Sequence, residues 1–256
     1  MALTDQQKQD LYHYCLRLGD DRLILGHRLS EWCGHGPILE EDIAISNIAL
    51  DLIGQAVGFL THAGELEGEG RDEDALAYFR EAIDFENAML VEQPNGHYGD
   101  TIARQFLFDA FSFHLMESLS ASPYEPLAAL GAKTLKEVRY HLRHSSQWML
   151  RFGDGTEESH ARVQQSLDDL WRYTGELFLV DALEQRLVDA GLIPDAATLK
   201  AKWDATVGEV LTEATLKRPE DGIAMEGGRQ GRHTEYLGHI LAEMQILPRS
   251  YPGAAW

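Results

Sequence analysis

The sequence predicts an all-α protein: a helical bundle core with additional flanking helices. Apolar residues recur every three or four positions through one long segment after another. No stretch of period-two alternation is bounded by hairpin turns. Capping residues and glycine–proline clusters separate the segments at short intervals, and no fixed-period repeat occurs. A single bundle is therefore expected rather than a helical solenoid.

Thr4 and Asp5 cap a first helix through Leu11, Tyr14, Cys15 and Leu18. Gly19 is a candidate bend, the pattern resumes at Leu23, and Gly34 to Pro37 ends it. Glu40, Glu41 and Asp42 suit the positive end of a second helix. Its apolar rows run through Ile45, Ile48, Leu52, Ala56 and Phe59 to a loop at Gly64–Gly70. The row Asn47, Asp51, Gly54, Gly58 is small and polar, a surface another helix can approach closely. Asp72 opens a third helical region through Ala75, Phe79, Ile83 and Phe85, which ends in LVEQPNGHYGD. Asp100 caps a fourth helix. Pro123 stands near the first turn of a fifth, which closes at Gly153-Asp154-Gly155. Thr156 opens a sixth that carries Val163, Leu167, Trp171, Leu177 and Phe178 and ends near Gly191. Pro194 starts a seventh through Trp203, Lys217 to Arg232 is a loop, and HTEYLGHILAEMQIL is the last helix.

The 256 residues suffice for a sizeable core. A formal net charge of −20 excludes a nucleic-acid partner and disfavours an anionic membrane surface. No run reaches the ~18 apolar residues of a membrane span, and MALTDQQKQDLYHY is not a secretion signal. Two cysteines, Cys15 and Cys33, form no disulfide framework, so a reduced, cytoplasmic compartment is expected. There is no GxSxG, P-loop or dinucleotide fingerprint.

The stretch KEVRYHLRHSSQW, Lys136 to Trp148, carries the chemistry. Carboxylate-bridged di-iron bundles place a Glu three residues ahead of a His on each of two helices, with a further carboxylate from each of two others. His141 stands where such a His would stand, but Val138 occupies the Glu position and cannot bind iron. On the second helix Asp51 keeps the carboxylate and Gly54 replaces the His. Asp109 lies on an aromatic row with Ile102, Phe106 and Phe113, so it is expected to be buried and therefore paired. On the first helix Glu31, with His27 one turn earlier, is the candidate donor. Two readings stay open: a metal held by Asp51, Asp109, His141 and Glu31, or an Asp109–His141 pair satisfied in a polar pocket. The second is favoured because a satisfied buried pair can be kept, whereas an unpaired one costs several kcal/mol.

The segments LFDAF…KEVRYH, LVEQPNG, GDGTEES and HTEYLGHILAEMQ…YPGAAW resemble the C subunits of phenylacetyl-CoA epoxidases, bacterial multicomponent oxygenases of phenylacetate breakdown, across essentially the whole chain. The resemblance implies one ferritin-like domain over residues 1–256. A four-helix core would occupy about 5–155, further helices about 156–247, and a short tail would follow. The catalytic A subunits of that family carry DEAGH-like and KEESFH-like motifs. These fall on Leu50–Gly54 and Lys136–His141, so Glu31, Asp51, Gly54, Asp109, Val138 and His141 become vestigial ligand positions. No metal, catalytic group or cofactor is then expected on this chain. It would brace the homologous catalytic subunit, alongside small subunits and a reductase, or form a homodimer when alone. The complex would use iron in the catalytic subunit, and NADPH, flavin and iron–sulfur through the reductase, to epoxidise the ring of phenylacetyl-CoA. A metal-binding oxidoreductase active in its own right is the alternative. A further reading assigns coenzyme A phosphates to the basic loop Gly227–His233, through Arg229 and Arg232, against an ordinary capping loop.

Overall fold

Thr4 starts the first helix as a capping box. Its hydroxyl accepts from the Gln7 N–H at 3.2 Å, and the Gln7 side chain accepts from the Thr4 N–H at 2.9 Å. The computed structural model describes residues 3–254, so Met1 and Ala2 of the stretch MALTDQQKQDLYHY, and Ala255 and Trp256 of the YPGAAW ending, lie outside the described residues. Among the described residues the chain is all-α, with ten α-helices and no strand.

Helix α1 (Asp5–Ser30) runs unbroken through Gly19. That glycine does not bend the helix; it makes room for a neighbour, because a Cβ there would meet Leu60 at 2.7 Å. One helix further along, α2 (Leu39–Glu67) passes the expected stop at Gly64 and ends at Gly68, whose φ of 75° suits glycine. Gly64 stays helical because its bare Cα accommodates the Arg71 carbonyl. Gly19 faces Leu60 while Gly26 faces Ala49 and Ile53, so α1 and α2 are antiparallel. One 18-residue window of α2 has mean hydropathy 1.6, apolar enough by length and composition to cross a membrane, although no unbroken apolar run of that length occurs in it. Its inward face packs on α1.

The third helical region breaks up. Only α3 (Glu73–Tyr78) and α4 (Met89–Glu92) form, around a single 3₁₀ turn at Ala82–Asp84. Arg80 is the cause. Its guanidinium is buried, donates to the Leu76 and Asp84 carbonyls, and pairs with both oxygens of Asp20. An ion pair with α1 thus outweighs local helix propensity.

Helix α5 (Tyr98–Leu119) is capped by His97, with Asp100 three residues inside completing the box. Helix α6 (Glu125–Gly153) holds Pro126, not Pro123, in its first turn. Ser145 on α6 meets Asp109 on α5 while Gly131 meets Leu119 and Ser120, so this pair is also antiparallel. The expected sixth helix is shorter. After α7 (Glu157–Leu170), two 3₁₀ turns over Trp171–Phe178 interrupt it before α8 (Ala182–Asp189). Here Trp171 and Phe178 pack against Trp203, and the Trp171 indole N–H donates to Asp221 at 2.9 Å. Trp203 belongs to α9 (Ala196–Glu213), which Asp195 caps, and α10 (Glu235–Ser250) follows.

The helices divide between two units. A central unit comprises Asn95–Met225; a split unit joins the residues up to Pro94 with those from Glu226 onward. In the split unit, the α10 segment is fastened to α1 by buried charge. Arg229 donates to both oxygens of Asp21, at 3.0 and 2.8 Å, and to the Glu86 carbonyl at 2.8 Å. His233 bonds the Glu92 carboxylate at 3.0 Å and the Phe85 carbonyl at 2.9 Å. Asp21 and Glu92 are wholly buried. Removing one partner of such a pair strands the other, so Arg229→Ala is expected to lower unfolding stability by roughly 3–5 kcal/mol. Urea denaturation checks this, and a loss below about 1 kcal/mol would show that the pair does not hold the segment.

Candidate functional site

The vestigial positions fall into both units. In the split unit, Glu31 caps the C-terminus of α1 and accepts from Arg28 Nη1 at 2.8 Å, with its side chain 41% exposed. The other nitrogens of Arg28 donate to the Glu92 backbone carbonyl. Glu31 is therefore partner to an arginine at a helix end, not the inward donor its sequence position suggests. Burial pushes the His27 imidazole down from its ordinary pKa. On α2, Asp51 is half-buried and Gly54 lies on the exposed face, with no atom within 4 Å of where a Cβ would stand. No neighbouring group replaces the imidazole that a ligand helix would carry there.

In the central unit the aromatic row does bury Asp109, as its setting predicts; it is 1% exposed. Both of its oxygens accept hydrogen bonds: Oδ1 from Gln105 Nε2 at 2.7 Å, and Oδ2 from the Ser145 hydroxyl at 2.8 Å. His141, fully buried, lies one turn ahead of Ser145 on α6. Burial pushes the Asp109 carboxyl up to about 7, against the pull of His141 and the two hydrogen bonds. The sequence located Asp109 and His141 but missed Gln105, one turn before Asp109 on the same helix. That i, i+4 spacing was the available signal. Val138 is buried and brings no donor atom.

This donor set does not fit a pair of irons. Such a centre needs ionised carboxylates free to bridge two cations. Asp109 has both oxygens engaged by Gln105 and Ser145, while Gly54 and Val138 offer no donor atom. Among the described residues no group of three or more His, Cys, Asp or Glu side chains is arranged to hold a metal ion. The Gly227–His233 loop is likewise turned inward: Arg229 and His233 are committed to Asp21 and Glu92, and Arg232 alone of its charged residues is exposed. The coenzyme A phosphate reading therefore loses its main cation. Cys15 is buried, and burial raises its thiol to about 12, so it is inert; exposed Cys33 is a free thiol.

Asp109 gives a pH signature. Its folded pKa lies above the ~3.9 of an unfolded Asp. Its contribution to stability is complete below that unfolded value and is lost as pH rises toward 7, where the unfolded chain ionises first. Asp109→Asn removes this dependence. The stability of the wild type minus that of the variant should fall by several kcal/mol between about pH 4 and about pH 7. Urea midpoints across that range measure it, and a flat difference would mean that Asp109 is ionised in the fold.

The whole chain, residues 1–256, matches the sequence profile of a family described as phenylacetic acid catabolic protein. It is also 51% identical, over 243 residues, to the C-type subunit of the 1,2-phenylacetyl-CoA epoxidase of Escherichia coli strain K12. That alignment covers 95% of this chain and 98% of the relative. All-α in build and matched along its whole length, the chain belongs to the phenylacetic acid catabolic protein family.

Proposed function

We propose that this chain is a non-catalytic subunit of a cytoplasmic, multicomponent phenylacetyl-CoA epoxidase, and that it binds and stabilises a homologous catalytic subunit. The carrying observation is the Asp109 site: a buried carboxyl beside His141 whose two oxygens are taken by Gln105 and Ser145, where an oxygen-activating subunit would need a free ligand. The same observation weighs against an oxidoreductase acting alone. Iron belongs to the catalytic subunit on this reading, and NADPH, flavin and iron–sulfur belong to a reductase.

A surface suited to permanent assembly supports the proposal. On α2, residues 43, 47, 50, 54 and 57 alternate at spacings of four and three along one exposed seam. Ile43, Leu50 and Val57 supply apolar side chains, 52%, 69% and 43% exposed, and Asn47 and Gly54 lie between them. That is the pattern of a helix seam awaiting another helix, with glycine permitting close approach. Leu50→Asp should weaken binding to the purified catalytic subunit by about tenfold or more while leaving the helical circular dichroism unchanged. Mixing the purified catalytic subunit and reductase with and without this chain tests the role itself. Epoxidation is expected only with the chain present, and the chain alone should carry far less than one iron. Stoichiometric iron with turnover by this polypeptide alone would overturn the proposal.

A further inference from the structure

Helix α6 is electrically unlike the rest of the molecule. It carries five Lys and Arg residues against two Glu, a formal +3, whereas the whole chain carries −20. The five cations are Lys133, Lys136, Arg139, Arg143 and Arg151, and all are exposed. Their spacing of three, three, four and eight keeps them on one side of the helix. The row extends about 27 Å at 1.5 Å per residue. Among the described residues none of the five makes an ion pair with a carboxylate. Elsewhere the cations Lys8, Arg162, Lys200, Lys202 and Arg218 each do, and the exposed cations that show no ion pair, Arg172, Lys217 and Arg232, form no such row. The row also has rigid aromatic support, since Arg143 lies over the Tyr140 ring at 5.4 Å and Arg151 over the Trp148 ring at 4.9 Å. Tyr140 is 42% exposed and stacks with His144.

Five like charges along one helix face, in a chain rich in carboxylates, make a local cationic field that favours an acidic partner. We propose that the outer face of α6 is the docking surface for an acidic face on a reversibly bound protein component of the epoxidase. The inference rests on the subunit role proposed above. Charge complementarity selects the occupant. A small anion would need a cavity, and this face is a convex helix. A long polyanion would have to run beyond the row onto acidic surface, which repels it. An acidic protein patch of matching length meets only the cations. Solvated Lys and Arg stems suit a steered, salt-sensitive encounter rather than a permanent apolar seam, because Lys is depleted from the cores of permanent interfaces.

The test uses the assembled complex of this chain with the catalytic subunit, bearing either the wild-type row or K136E/R139E/R143E. The purified reductase and each purified small subunit are the probes, and association rates are followed against salt. One of these components is expected to bind the wild-type complex at a rate that falls steeply with salt. The triple variant should slow that binding at least about tenfold at low salt and flatten its salt dependence. K8E/K202E/K217E, with the same change in net charge, should leave the rate within about twofold. Equal rates and slopes for both complexes would overturn the proposal, as would equal slowing by the control variant. Salt-sensitive binding of a duplex DNA fragment to the row, with no component responding, would overturn it in favour of nucleic acid. Loss of assembly with the catalytic subunit in the triple variant would overturn reversible docking. Failure of the wild-type chain to assemble at all would instead remove the parent reading.

Discussion

A carboxylate taken out of water must be neutralised, by a counter-charge or by a proton, and this chain uses both means. In the split unit, Asp20 and Asp21 stand side by side in the middle of α1, fully buried, and each is met by an arginine from a different part of the sequence. Arg80 breaks what would be a continuous third helix in order to reach Asp20. Arg229 fixes the path of the chain into α10. The local irregularities of this unit follow from satisfying two adjacent acids on one helix. In the central unit Asp109 is met by Gln105 and Ser145 beside His141, and burial raises its pKa to about 7, toward the protonated form.

These two solutions bear on function. A metal centre would neutralise its acids with cations bound between helices, and the protein would have to keep those acids ionised and available. Asp109 instead spends both of its oxygens on hydrogen bonds within the central unit. Within the central unit, α5 and α6 meet through hydrogen bonds around Asp109 in place of free ligand groups. The surface divides its roles in parallel: an apolar seam on α2 and a cationic row on α6.

Much of the fold was legible in the sequence. Capping residues and apolar rows located α1, α2, α5, α6 and α9, because each is a long amphipathic segment whose ends carry their own signals. Burial of Asp109, Val138 and His141 could be read from their helical rows. The breaks at Phe79 and Trp171 could not, since each depends on a partner distant in sequence: Asp20 for Arg80, Asp221 and Trp203 for Trp171. Glu31 was misplaced for a similar reason. Its row suggested an inward direction, but the helix ends there and Arg28 takes its carboxylate. The Gly227–His233 loop looked available to phosphate because nothing local reveals that Asp21, 208 residues earlier, already holds Arg229.

That separation has a consequence for biosynthesis. As the polypeptide leaves the ribosome, the first hairpin emerges with Asp21 lacking its guanidinium, and the central unit, contiguous in sequence, is free to fold before Arg229 has been made. The split unit closes only once the segment from Glu226 onward has been made. Nascent chains that stop before Arg229 therefore hold Asp21 by the Ala88 N–H alone, without the guanidinium that pairs with it in the fold.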